Sequence, residues 1–140
     1  MRIEVKKLSE EAVIPTRANS GDAGLDLTAT SMTFTEDYIE YGTGLAFEIP
    51  EGYVGLIFAR SSISKMAHSV ANAVGVIDAC YRGEVKIRMR YKKDRALEWY
   101  KVGDRVAQLV VMPCWPGNLV EVNELSKTDR GSGGFGSSGN

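Results

Sequence analysis

Between Glu84 and Tyr91 the chain alternates strictly. Val85, Ile87, Met89 and Tyr91 are apolar, and Lys86, Arg88 and Arg90 stand between them. A two-residue period puts the apolar side chains on one face of an extended strand and the cations on the other, so this stretch must be half buried in a sheet. Other segments follow the same rule less strictly. Arg2 to Leu8 alternates, Tyr53 to Ala59 is a short apolar run after the turn signal Pro50-Glu51-Gly52, and Arg105 to Met112 and Leu119 to Val122 also read as strands. No segment carries a long 3.6-residue stripe, and one short helical stretch is expected near Ser62 to His68. Short strands at regular spacing predict an all-β domain, a jelly-roll-like barrel or sandwich with little helix.

A chain of 140 residues fits one such domain. It is long enough to bury roughly two thirds of its unfolded surface. The formal net charge of -1 argues against a dedicated nucleic-acid binder, and no nucleic-acid partner is expected. A small anionic substrate remains open, because a few placed Arg and Lys side chains suffice for that. Cys80 and Cys114 make no disulfide framework, and with His68 as the single histidine there is no zinc-site spacing. The start, Met1-Arg2-Ile3-Glu4-Val5-Lys6-Lys7, is charged, and no run approaches the ~20 apolar residues of a membrane helix. The expectation is a soluble, cytoplasmic protein with no membrane partner.

The end of the chain differs from the rest. Arg130 to Asn140 holds five glycines and three serines around the lone aromatic Phe135. Composition alone reads as a flexible tail. Phe135 resists that reading, because an aromatic in a solvated linker gains nothing unless it finds a surface, and flanking glycines let a backbone approach a ligand closely.

Four internal segments carry possible chemistry. Ala23-Gly24-Leu25-Asp26-Leu27 sets an acid in an apolar strand, where it needs a partner, a cation or an edge facing water. Arg60-Ser61-Ser62-Ile63-Ser64 follows an apolar strand and has the hydroxyls, amides and guanidinium of a phosphate cradle, or of an ordinary serine turn. In Asn72-Ala73-Val74-Gly75-Val76-Ile77-Asp78-Ala79-Cys80-Tyr81-Arg82-Gly83-Glu84 the acid Asp78 ends an apolar run, as a catalytic or a turn residue. In Gly103-Asp104-Arg105-Val106-Ala107-Gln108-Leu109 the amide of Gln108 must be satisfied by the fold or by a ligand.

Each segment alone is ambiguous, but their order and content resemble the five ordered motifs of the homotrimeric dUTPase (deoxyuridine triphosphate nucleotidohydrolase) family, from about Gly24 to Gly139. The linking stretches Tyr41 to Leu45 and Ile49 to Tyr53 look like that family too, and Gly75-Val76-Ile77-Asp78 followed by Tyr81 and Gly83-Glu84 is the most specific match. The resemblance implies a homotrimer of jelly-roll domains with sites shared between subunits. It divides the chain into a β domain, 1–129, and a closing arm, 130–140. It implies Mg2+ and hydrolysis of dUTP to dUMP and pyrophosphate.

Roles follow from the resemblance. Asp78 would activate the attacking water. Asp26 would hold waters of the magnesium shell, the metal itself resting mainly on substrate phosphates. Arg60, Ser61, Ser62 and Gln108 would meet the phosphate and metal-water network. Asn72 with Gly75, Val76 and Ile77 would line the uracil pocket, with Lys86 nearby, and Tyr81 would pack under the deoxyribose. Arg130 would pair with the terminal phosphate, while Phe135 stacks on uracil and Gly136 and Ser137 close over it. The chain departs from the family at Ala59, Ser62, Ala79-Cys80 and the tail Gly136-Ser137-Ser138-Gly139, none of which removes a functional group. A dCTP deaminase of the same superfamily, a regulatory binding protein on this scaffold and a sugar-binding jelly roll are the competing readings. Outside the motifs, His68 is expected on the surface, Cys80 as a packed thiol, Trp99 and Trp115 as packing residues in the fold or at a subunit contact, and 82–95 as the solvated face of a strand.

Overall fold

The computed structural model describes residues 2–91 and 98–134. Its strands are β1 (Glu4–Lys7), β2 (Leu25–Thr28), β3 (Ser31–Phe34), β4 (Ile39–Gly42), β5 (Leu45–Glu48), β6 (Tyr53–Phe58), β7 (His68–Val70), β8 (Gly75–Ile77), β9 (Lys86–Tyr91) and β10 (Arg105–Pro113). Among the described residues a single 3-10 turn, Ser61–Lys65, overlaps the stretch expected to be helical, whose last residue, His68, instead begins β7. All pairings are antiparallel. One sheet runs β2-β10-β6-β8, a second β3-β4-β9-β7, and β1 pairs with β5. The sheets form an open sandwich, so of the two all-β architectures expected the sandwich is the one adopted and the barrel is not closed.

β9 shows why these residues make these strands. Ile87 and Met89 are buried while Lys86, Arg88 and Arg90 are exposed, so the alternation seen in the sequence is the alternation of the pleat. The buried set continues with Leu27, Ile39, Leu45, Ile57, Val106 and Leu109, which fill the space between the sheets. The turn into β6 is closed by Tyr53 N–H donating to Pro50 C=O at 3.2 Å, and Gly52 takes the left-handed φ of 80° that this turn requires.

Three expectations fail here, each for a physical reason. Leu119 to Val122 forms no strand: it has the right residues but no ladder partner among the described residues, and Leu119 is 92% exposed. His68 is not a surface residue; it is 7% exposed. β7 is too short to show a period, and its first residue points inward, where the imidazole lies between Tyr41 and Tyr100 with ring centroids 6.5 and 5.1 Å away. Neither ring nitrogen has a hydrogen-bond partner among the described residues, and burial lowers the His68 pKa. Tyr41, fully buried beside it, donates its hydroxyl to Tyr100 C=O at 3.0 Å, and burial pushes its pKa up to about 12. The third is Cys80, which is exposed rather than packed, because its turn lies outside the sandwich. Trp99 does pack, edge-on to Phe34 at 5.6 Å and to Tyr91 at 6.4 Å, whereas Trp115 is exposed.

Candidate functional site

β8 ends its sheet, so the side of Gly75–Ile77 away from β6 has no ladder partner in the described chain. A cleft of about 540 Å3 opens there. Asn72, Gly75, Val76, Ile77, Asp78, Tyr81 and Lys86 all line it, so the third motif and Lys86 come together as expected. The glycine at 75 is a matter of space, since a Cβ there would stand 3.1 Å from Cβ of Ile57. The turn into β8 is tight. Val74 N–H donates to Asn72 C=O at 2.6 Å, and Ala73 is held at a φ of 61°, a left-handed conformation that is uncommon outside glycine and marks a shaped site.

Asp78 directly follows the strand, and its C=O accepts Tyr81 N–H at 3.0 Å, which fixes acid and ring in one turn. Tyr81 is 43% exposed and donates its hydroxyl to Glu84 C=O at 3.0 Å. The Glu84 carboxylate accepts Gly44 N–H at 2.9 Å, tying this turn to the start of β5. On the far wall Glu40 accepts from Lys86 Nζ at 3.0 Å and Arg88 Nε at 2.8 Å. Those two bonds hold the Glu40 carboxyl below its ordinary pKa, and the bond to Glu40 raises that of Lys86.

A second group gathers around Asp26. Its carboxylate accepts Arg60 Nε at 2.8 Å and Arg105 Nη1 at 2.9 Å, which leaves one carboxylate between two guanidiniums and a local excess of positive charge. Ser62 Oγ lies 2.9 Å from the Tyr100 hydroxyl, and Gln108 Nε2 donates to Ala59 C=O at 2.9 Å. Ser61 is the exposed first residue of the adjoining 3-10 turn. Gly24 makes room for Gln108, because a Cβ at 24 would collide with Oε1 and stand 3.1 Å from Cδ of that side chain. Anion binding suits this group. Among the described residues no three His, Cys, Asp or Glu side chains group to hold a metal. Asp26 is the carboxylate of this group that could help hold a divalent cation, and its oxygens are the hard donors magnesium prefers.

Arg105 is the residue that sequence reasoning passed over. Two-residue alternation would put positions 105 and 108 on opposite faces. The register of β10 on β2 slips between Arg105 and Ala107, so Arg105 faces Thr28 and Gln108 faces Asp26. The bulge absorbs one residue and puts both side chains on the face that carries Asp26, where Arg105 reaches its carboxylate. Tyr100 and Glu40 were also missed, and neither stands in a motif. Arg130 touches neither group; its Nε donates to Gly133 C=O at 2.9 Å. Phe135, Gly136 and Ser137 lie outside the described residues.

The two groups lie at opposite edges of the β2-β10-β6-β8 sheet, Asp26 on β2 and the cleft at β8, where Ile57 and Ile77 line it from one face and Val76, paired with Leu56, from the other. Asp26, Gln108 and Phe58 are register partners and share one face. Ile57, one residue before Phe58, turns to the other face and lines the cleft. The two edges are roughly 14 Å apart across three strand spacings.

A cleft suited to a flat ring and a separate cationic group divide the labour as a nucleotide requires, which makes the chain a nucleotide-handling β-sandwich. Comparison with known proteins narrows that class. A family model described as dUTPase matches residues 10–139, and the chain belongs to the dUTPase family. It is 41% identical to the deoxyuridine 5'-triphosphate nucleotidohydrolase of Nautilia profundicola, covering 99% of each chain. It is also 41% identical to that of Nocardia farcinica, covering 98% of this chain and 85% of the relative. Among solved structures it is similar to the Staphylococcus bacteriophage 80alpha dUTPase with dUpNHpp, at 32% identity, 99% coverage of both chains and a TM-score of 0.83. It is similar also to a mutant dUTPase from phage phi11 of S. aureus, described as revealing the coordination of a structural Mg(II) ion, at 30% identity, 89% and 98% coverage and a TM-score of 0.74.

Proposed function

We propose that this chain hydrolyses dUTP to dUMP and pyrophosphate, lowering dUTP and forming dUMP for thymidylate synthesis. The observation that carries the reading is the placement of Asp78. It directly follows the edge strand that walls the cleft, on the same lining as Tyr81, in a chain that matches dUTPases over nearly its whole length. The unpaired backbone of β8 suits the hydrogen-bonding edge of uracil, with Asn72 and Lys86 at its margins. Tyr81 stands under the sugar. Asp78 takes a proton from water as its oxygen attacks the α-phosphorus, the bond from that phosphorus to the β-phosphate oxygen breaks, and pyrophosphate leaves. Arg60, Ser61, Ser62 and Gln108 bind the phosphate chain and hold it in line for attack. Asp26 would help hold a magnesium ion through water, and the ion would supply neutralisation of the phosphate charge.

The same reading makes the protein a homotrimer with shared sites. One chain carries its cleft at the β8 edge and its Asp26 group at the β2 edge of the sheet, roughly 14 Å apart, and a second chain brings its own Asp26 group to the first chain's cleft. Exposed Trp115, Leu119, Val120 and Leu125 are consistent with surface that a neighbouring copy covers. Residues 1–129 form the β domain. The arm at 130–140 closes over the nucleotide, with Arg130 toward the terminal phosphate and Phe135, Gly136 and Ser137 over the base. The enzyme works in the cytoplasm. Among the described residues no helix is long and apolar enough to cross a membrane.

The test is pyrophosphate release from dUTP, UTP, dTTP, dCTP, dATP and dGTP, with magnesium and with chelator. dUTP alone should be turned over rapidly, and only with the metal. Ammonia from dCTP, or equal rates on all nucleotides, would contradict the proposal.

A further inference from the structure

Gly83 lies two residues beyond Tyr81. A Cβ built there would collide with the Tyr81 hydroxyl oxygen and would stand 2.6 Å from Cζ and 3.0 Å from Cε2 of the ring. The ring therefore lies folded back over residue 83, and it is pinned there by the hydrogen bond from its hydroxyl to Glu84 C=O at 3.0 Å. Gly83 does not have the positive φ that would itself demand glycine; among the described glycines that belongs to Gly44, Gly52, Gly103 and Gly131. What residue 83 contributes is empty space, and Tyr81 uses it.

We propose that Gly83 is a positioning residue for sugar selectivity: its missing side chain lets the Tyr81 ring lie where a 2′-hydroxyl would have to go. This rests on the dUTP reading above and on Tyr81 as the wall beneath the sugar. Adding one methyl group at 83 forces the ring to swing about its side-chain torsions and to lose the bond to Glu84. The ring is 43% exposed, so swinging outward meets little resistance and the fold survives. The backbone of the turn is held by other means. Tyr81 N–H donates to Asp78 C=O at 3.0 Å, and Arg82 Nη1 donates to Ala79 C=O at 2.6 Å and Tyr81 C=O at 3.0 Å. Asp78 therefore keeps its place while the wall moves. Selectivity is lost ahead of the chemistry.

The experiment measures kcat/KM for dUTP and for UTP, with the melting temperature, in the full chain, Gly83→Ala, Tyr81→Ala and the double variant. Gly83→Ala should melt close to the parent and raise the UTP-to-dUTP ratio of kcat/KM by about tenfold or more, the scale of steric discrimination in a pocket. In the Tyr81→Ala background the same methyl should add nothing further to the ratio, which a general loosening of the turn would not reproduce. An unchanged ratio, or both substrates slowed in parallel, overturns the proposal. If Gly83→Ala alone does not fold, the double variant has no ring to collide with and must regain the Tyr81→Ala melting temperature; a double variant that stays unfolded overturns the proposal as well. A parent protein that hydrolyses neither nucleotide refutes the dUTP reading itself, whereas a dUTP-selective parent with an equally selective Gly83→Ala refutes only the role of Gly83.

Discussion

His68 carries two unpartnered ring nitrogens into the core, and the physics of that burial sets the behaviour of the protein in acid. In the unfolded chain its imidazole takes a proton near the ordinary value of 6.5, while burial between Tyr41 and Tyr100 holds the folded value lower. Between those two values the unfolded chain binds the extra proton. Stability is therefore complete above about pH 6.5, falls as the pH drops toward the folded value, and falls no further on this account below it. Replacing His68 with Phe should flatten the melting temperature between pH 6.5 and 5 relative to the parent, read by thermal unfolding across that range. An identical slope in both proteins would remove His68 as its source. The burial of His68 was not legible in the sequence because a lone imidazole beside Ala67 and Ser69 gives no sign of which way it turns. That Asn72, Asp78 and Tyr81 would line one cleft was legible, because they flank the short strand β8 within ten residues.

At the scale of elements, legibility depends on whether a pattern is local. β9 could be read residue by residue because every second side chain enters the same core. β10 could be placed but not its function, because the bulge between Arg105 and Ala107 is a property of its pairing with β2. Leu119 to Val122 reads as a strand for the same reason that it fails as one here: apolar spacing is local and a ladder partner is not. The arm from Arg130 is the element whose role is most open to test. Gly-rich chain loses much conformational freedom when it is ordered, so the closure proposed for the arm needs a bound nucleotide to offset that cost. A chain ending before Arg130 should stay folded and trimeric, keep its melting temperature, and lose most of its dUTP turnover, read by pyrophosphate release. Full turnover in that chain would reduce the arm to a linker.

At the scale of the whole molecule, the arrangement explains why five motifs spread along one chain need not meet within it. The sequence orders them, but only the strand order of the β2-β10-β6-β8 sheet shows that Asp26 and the Asp78 cleft stand at its two opposite edges. The central claim is that one site takes Asp78 from one subunit and Arg60 from another, and mixing two defective chains tests it directly. Asp78→Asn keeps shape and loses basicity, so alone it should fall roughly 10²–10⁴-fold in rate. Arg60→Ala removes a phosphate ligand and should be comparably impaired. Unfolded together in equal amounts and refolded as mixed trimers, the two chains rebuild one intact site in each mixed trimer, so about a quarter of the parent activity should return. Recovery near that level is the predicted result; activity no higher than the sum of the two separate chains, in mixed trimers verified by mass, would contradict the account.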